Sequence, residues 1–517
     1  MKRRMSASLF LAVFFIPAFF VFSQAKEQAF SKRIIGYYIN WGMYPAHNSF
    51  GPQNIPWTKI THINYAFATI IAGSWTIKGT DDWADVQCGP QQNGQIGQIN
   101  TMKTQYGVKT LISVGGWTCS GNFSAMAATD AGRTAFANDC VRYIRQYKFD
   151  GVDIDWEYPG FVRAPDVNLA GDQGCNGQPA DKGNFTLLLQ TLRQKLDAAA
   201  QADGTAYYLS IAAPGGYDKI EGPITFQEPD KYNQYVDWLN VMTYDFHGAW
   251  DTLTGHLAGL YANPNDRAAV SPIDIKDKYN GDAIIKYYAS KGVPAAKMNI
   301  GAAYYGRSWK NVADGGTSGL FQHATARDFY ETPWNYGVEP FYTLKPWETN
   351  TAYVSRYDSV AKAPSIYDPS GKFFYTYDNE KSIGDKCDYV VSNQLGGLFF
   401  WEFTGDYPIL GSTLTSVIFK KISNVSVKIP EVGGAKNPAS PSVFCSAIGN
   451  HCVFTTNSVV PMNVTVVGVS GRVADAFVLK KGDSLVRPLL PLGIYFLKAE
   501  GGAEQMVRIV ATGGAHL

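Results

Sequence analysis

Eight short apolar runs, separated by helical or polar stretches, recur along most of this 517-residue chain. They are RIIGYYINW (33–41), ITHINYAFATI (60–70), VKTLISVGGW (108–117), FDGVDIDWEY (149–158), YYLSIAAP (207–214), VDWLNVMTYDF (236–246), MNIGAAYYG (298–306) and GGLFFWEF (396–403). Helical periodicity fills several of the gaps, at 131–147, 184–201 and 282–292, the last stopped by Gly292 and Pro294. Strands that alternate with helices predict a parallel sheet, and eight such repeats predict a (β/α)8 TIM barrel, an α/β fold.

Two segments exceed what such a barrel needs. Residues 159–183, rich in Gly, Pro, Asp and Asn, read as a long loop after the fourth strand. Residues 307–377, between strands seven and eight, are too long for a loop and predict a small α+β insertion subdomain. A last helix is expected near 410–422. It closes a catalytic unit spanning 26–424, and a Pro-, Gly- and Ser-rich linker at 425–442 follows. Residues 443–517 carry short β-like runs and Gly-rich turns, and predict a small all-β domain.

The N-terminus has Lys2-Arg3-Arg4, an apolar run from Leu9 to Phe22, and small residues before Ala25. This reads as a signal peptide at 1–25, so export with cleavage is expected, leaving no membrane span. The run falls short of the roughly 20 residues that cross a bilayer. Forty-five Lys+Arg against 44 Asp+Glu leave no basic excess, which argues against nucleic-acid binding. Seven cysteines fit an oxidising compartment, with Cys445 and Cys452 expected to pair across a tight loop. The other five permit too many pairings to choose among. No Cys or His spacing implies a metal site.

The fourth run places four carboxylates, Asp150, Asp153, Asp155 and Glu157, within eight residues. In a strand, Asp153, Asp155 and Glu157 share one face, and Val152, Ile154 and Trp156 share the other. In a barrel the apolar set meets the helices, and the acids climb the interior towards the C-terminal mouth. Asp150 has the opposite parity, at the strand's start, and reads as structural. Crowded carboxylates cannot all ionise, so the row should hold a proton and its outermost acid should titrate high, as a general acid requires. A calcium loop would have polar residues between its acids and a Gly where Tyr158 stands. A solvated acidic edge would not alternate with Val, Ile and Trp.

Asp150-x-x-Asp153-x-Asp155-x-Glu157 resembles the active-site signature of glycoside hydrolase family 18, the chitinase family. Ser113-Val-Gly-Gly116-Trp117 and Met242-Thr-Tyr244-Asp245 resemble that family's third- and sixth-strand motifs. Trp401 stands where its eighth-strand tryptophan floors the cleft, and Tyr305-Gly-Arg307 opens an insertion like that of its deep-cleft bacterial branch. The motifs follow the family's order from residue 33 to about 410.

The resemblance implies a secreted or cell-surface chitinase that cuts β-1,4 links between N-acetylglucosamine units of chitin, with no cofactor. It also implies retention by substrate assistance, in which the sugar's own acetamido oxygen attacks the anomeric carbon. On that footing Glu157 is the acid and base, Asp155 orients the acetamido group, Asp153 shares its proton, and Tyr244 holds the acetamido oxygen. Trp401 would stack beneath the sugar, with Tyr37, Phe67, Trp117, Met242, Asp245, Tyr305 and Arg307 shaping subsites. Met242 and the strand-end aromatics also fit plain core, and Arg307 also fits an ion pair with an acid in the insertion.

The tail phrases VTVVGVSGRV (464–473) and LPLGIYFLKAEGGAEQMVRIV (490–510) resemble the C-terminal sorting domains of Bacteroidota-type exporters, which implies recognition by export machinery. A chitin-binding module would display a flat row of Trp or Tyr, but no Trp follows Trp401 and Tyr495 sits inside an apolar run. A monomer is expected. The competing readings are an endo-β-N-acetylglucosaminidase acting on glycans and a chitinase-like lectin that does not cleave.

Overall fold

A computed structural model describes residues 32–423, apart from 90, 168, 222–226, 267–276, 325–336 and 408–412. Beyond them it describes the backbone of seven strands between Val443 and Ala511. The expected signal peptide and linker lie outside the described residues.

Eight parallel strands form the centre: Arg33–Ile39, His62–Ile70, Lys109–Gly115, Gly151–Asp155, Tyr208–Ala213, Trp238–Val241, Met298–Ala303 and Gly397–Trp401. They pair in chain order, and the eighth pairs with the first, so the sheet closes into a barrel. The period-two alternation of each strand divides its residues between two cores. Ile34, Tyr38, Ile63, Tyr65, Ile112, Val152 and Ile154 face outward into the layer built with the helices. Ile35, Tyr37, Ile39, Leu111, Trp238 and Phe399 form a second cluster inside the barrel.

The helices Asp130–Tyr147, Asp181–Asp203, Gly281–Ser290 and Thr413–Ile422 stand where the periodicity put them. Thr129 caps the first through Gly132 N–H, and Asn280 caps the third through Ala283 N–H.

Between strands seven and eight, five strands form an antiparallel sheet in the order Val338–Pro340, Tyr305–Trp309, Phe373–Tyr377, Ala363–Asp368, Val354–Asp358. The strand Tyr305–Trp309 begins after a single intervening residue, Tyr304, from the end of the seventh barrel strand at Ala303. The long loop after the fourth strand contains a two-stranded ladder, Val162–Arg163 with Cys175–Asn176, and ends in a helix starting at Asp181.

The chain divides into two compact units, Met1–Ser426 and Val427–Leu517. In the second, the backbone forms a three-stranded and a four-stranded antiparallel sheet.

The disulfide expectation needs correction. Cys88, Cys119, Cys140, Cys175 and Cys387 are all free and buried, and behave as small apolar side chains in the packing. Strands Val443–Ile448 and His451–Thr456 make a tight hairpin whose register sets Cys445 opposite Phe454 and Cys452 opposite Ala447, so the residues of the expected Cys445–Cys452 pair are not directly opposed. Those two side chains lie outside the described residues. Among the described residues, no helix is long and apolar enough to cross a membrane, and no three His, Cys, Asp or Glu side chains gather as metal ligands.

Candidate active site

Register explains the innermost acid. Parallel pairing sets Ser113 and Ser210 level with Asp153 on its two neighbouring strands. Ser113 Oγ donates to Asp153 Oδ2 at 2.8 Å and Ser210 Oγ donates to Oδ1 at 2.6 Å. Tyr37, from the first strand, donates its hydroxyl to Oδ2 at 2.8 Å. Asp153 is fully buried, and burial lifts its carboxyl above the ordinary value although the hydroxyls pull the other way.

Two residues up the strand, Asp155 is also buried, and its Oδ1 accepts no hydrogen bond from any described residue. Burial, then the charges of Glu157 and Asp153, drive its carboxyl far above the usual range. Glu157 stands just beyond the strand's end and is half-buried. Burial, joined by the charge of Asp245, pushes it up to about 7 against hydrogen bonds from Tyr158 and Asp155. The row therefore retains protons near neutrality, and the outermost acid titrates in the working range of a general acid.

Trp156, between them, points outward, stacked on Phe123 at 5.2 Å and edge-on to Phe185 at 5.7 Å. This apolar anchor fixes the parity of the acids. The Glu157 main chain is held from the loop after the third strand: its N–H donates to Ser120 Oγ at 2.9 Å, and Ser120 Oγ donates to Gly116 O at 2.9 Å. Gly115 and Gly116 have φ of 113° and 78°. A Cβ on Gly115 would meet Asp155 O at 2.2 Å, and one on Gly116 would meet the Phe67 ring at 2.6 Å. The close approach of the fourth strand's end at Gly115, the Phe67 ring of the second strand at Gly116, and a positive φ at both favour glycine at the two positions.

Most of the predicted site residues converge around this row. Trp401 lies nearly parallel to Phe67 at 5.7 Å and tilts on Tyr37 at 5.4 Å. Met242 packs in the same internal cluster, where Tyr37, Phe67 and Met242 are each less than a tenth exposed. Tyr244 sits between Tyr305 at 6.2 Å and Phe399 at 5.9 Å. Burial, Tyr305 and the charge of Asp155 keep its hydroxyl protonated well above the ordinary phenol value.

Arg307 does form an ion pair, but with Asp245 of the sixth-strand motif through two hydrogen bonds of 2.9 Å and not with an acid of the insertion. Its guanidinium lies 5.5 Å from the Tyr305 ring and 5.1 Å from that of Trp250. Trp117 stands apart from these clusters, exposed, with the Arg163 guanidinium 4.2 Å over its ring.

Several neighbours escaped the sequence reading. Ser113 opens the third-strand motif but was given no role, and Ser210 carries no charge or periodicity that marks it; the register brings both to Asp153. Trp41 lies between Phe67 at 6.1 Å and Trp401 at 6.5 Å, and its position at the end of the first apolar run was the available signal. Trp250, 44% exposed beside Arg307, lies a few residues past the Met-Thr-Tyr-Asp motif.

The site crowns a closed eight-stranded barrel at the C-terminal ends of its strands. Residues 33–406 match the family described as glycosyl hydrolases family 18, and the chain belongs to that family. It is 39% identical over 437 residues to Chitinase A1 of Niallia circulans, an alignment covering 77% of this chain and 60% of that protein. It is 33% identical over 380 residues to Chitinase 1 of Aphanocladium album, covering 71% and 80%. The chain thus spans about three fifths of the length of the Niallia protein.

Among solved structures, a chitinase from Bacillus thuringiensis superposes with a TM-score of 0.67 at 27% identity, covering 93% of this chain and 85% of that one. A family 18 N-acetylglucosaminidase from Paenibacillus barengoltzii gives 0.61 at 32% identity, covering 75% and 99%.

Proposed function

We propose that this chain is an exported chitinase that hydrolyses β-1,4 linkages between N-acetylglucosamine units, with retention, using the substrate's acetamido group as nucleophile. The observation that carries this reading is the inequality within the acidic row. Asp153 is held by three hydroxyls, whereas Asp155 Oδ1 is buried with no described donor beside a carboxyl titrating at about 7. A buried acceptor of that kind suits an acetamido N–H, and a negative charge there offsets the cation of a cyclised sugar.

Glu157 protonates the departing glycosidic oxygen and then takes a proton from water. Tyr244 holds the acetamido oxygen, Asp153 accepts a share of the proton from Asp155, and Tyr37 acts on Asp153. Trp401 supplies the stacking floor, with Phe67 and Met242 behind it. Asp245, Tyr305 and Arg307 join the sixth-strand loop to the antiparallel sheet, which we read as an insertion walling the cleft for a long chain. Trp117 offers a further sugar contact at the rim. The N-terminal apolar run and the C-terminal sheets serve export.

The names of the relatives favour chitin, and product analysis tests the choice. Incubation with N-acetylglucosamine oligosaccharides beside a high-mannose glycopeptide should give shortened oligosaccharides and an intact glycopeptide. Cleavage of the glycopeptide alone would overturn the substrate assignment. Binding without cleavage of either would establish the lectin reading.

A further inference from the structure

The loop after the sixth barrel strand contains a buried charged cluster that the proposed mechanism does not use. His247 is 2% exposed, yet its Nδ1 lies 3.0 Å from Asp251 Oδ2 and its Nε2 lies 3.4 Å from Asp266 Oδ2. Both carboxylates are themselves largely buried, so the imidazole is gripped from its two ends. The loop between His247 and Asp251 is the turn that carries Trp250. It is closed once by the backbone, Asp251 N–H to Gly248 O at 2.9 Å, and again by the His247–Asp251 side-chain contact.

The turn then reaches the cleft. A Cβ on Gly248 would meet the Trp250 ring at 2.4 Å, so the indole folds directly over that glycine. Arg307 lies over the indole, and Trp309 Nε1 donates to Asp251 O at 3.2 Å, tying the turn to the antiparallel sheet.

We propose that His247 is a positioning residue for the substrate: held between Asp251 and Asp266, it fixes the turn that presents Trp250 beside Arg307, where the indole contacts the sugar chain. This deepens the chitinase reading and rests on it. The remaining described titratable group facing the ring is Tyr279, 6.2 Å away, whose hydroxyl donates to Asp218 at 2.5 Å.

Burial alone would strip the proton from His247, but the hydrogen bonds and charges of Asp251 and Asp266 overcome it and raise the group to about 9. A histidine whose folded value is raised contributes its stabilisation fully below its unfolded value, near 6.5. That contribution disappears as pH climbs through about 9. The turn should therefore loosen in the alkaline range.

The test is a binding titration, because turnover would be dominated by Glu157. In a Glu157→Gln background, the Kd for an N-acetylglucosamine hexasaccharide is measured by calorimetry from about pH 6 to about pH 10, a span that covers the ordinary and the raised histidine values. Affinity should weaken about fivefold through the upper part of that range, a loss comparable with one aromatic contact. Asp266→Asn should bring the weakening to lower pH. In the added presence of Trp250→Ala, both the weakening and the effect of Asp266→Asn should vanish, since His247 acts through that indole.

Binding that stays constant across the alkaline range, or weakening that persists without Trp250, would overturn the positioning role. Failure of the parent protein to bind the hexasaccharide at any pH would overturn the chitinase reading and this inference with it.

Discussion

The fourth barrel strand and its approach carry two kinds of carboxylate at opposite ends. At the bottom, Asp150 meets cations and backbone donors: Lys103 Nζ at 2.7 Å, Thr110 N–H at 2.8 Å and Lys109 Nζ at 3.8 Å. Nearby, Arg33 is likewise bound to Asn299 Oδ1 at 3.1 Å and lies 5.2 Å over Trp238. At the top, Asp153, Asp155 and Glu157 face hydroxyls, aromatic rings and one another, and no described lysine or arginine makes an ion pair with them. Paired charge at the base closes the barrel, whereas unpaired charge at the mouth stores protons.

Substitutions should separate the two ends. Glu157→Gln keeps the shape of the side chain but removes the acid, and should lower hydrolysis of unactivated oligosaccharides by about 10²–10⁴-fold. Asp155→Asn should be comparably impaired, because an amide offers no negative charge to a cationic intermediate. Tyr244→Phe should cost less, about tenfold, since one orienting hydrogen bond is lost and the acid remains. Steady-state rates on a single oligosaccharide rank the three variants, and a larger loss for Tyr244→Phe than for Glu157→Gln would break the assignment.

The pH profile sharpens the contrast. Glu157 works protonated, so activity should decline as pH rises through about 7, roughly tenfold for each further unit. The same shift has a sign for stability. An acid whose folded value is raised from 4.5 to about 7 stabilises fully below the unfolded value, and that contribution is lost as pH climbs through about 7. Glu157→Gln escapes the loss, so its Tm should exceed that of the parent by about 1–3 °C near pH 8 and lose that advantage in acid. Thermal melts at both pH values check this.

Asp150→Asn should do the reverse of the upper substitutions. It leaves Lys103 partly buried without its carboxylate, and should cost about 1–3 kcal/mol of stability. The rate per folded molecule should stay within about twofold, as the lesion is at the stability face of the barrel. Denaturant unfolding paired with active-site titration distinguishes these outcomes.

Much of this contrast could be read from sequence, because it rests on parity. Alternation placed Asp153 and Asp155 inward and Trp156 outward, and the odd position of Asp150 marked it as structural. The apolar runs located all eight strands but overshot several C-terminal ends: the fourth strand stops at Asp155, short of the expected Tyr158, and the sixth at Val241, short of Phe246. Those are the points where the chain leaves the ladder to build the site, and their apolar residues serve packing there. Contacts that depend on register or on distant loops left no local trace. Ser210 reaches Asp153 only through strand pairing, and Asp266 reaches His247 only through the returning loop. The cysteines misled in the other direction, since thiols that fill gaps in a core have the same spacing statistics as unpaired halves of bridges.

The central claim is that the upper carboxylates serve an intramolecular attack by the substrate and do not direct a water at the sugar. Proton NMR of the first products released from an N-acetylglucosamine oligosaccharide, recorded faster than mutarotation, tests it most directly. The account predicts the β anomer at the newly formed reducing end. An initial α anomer would mean that water displaced the leaving group in one step, with a carboxylate of this row as its base, and would contradict the assignment.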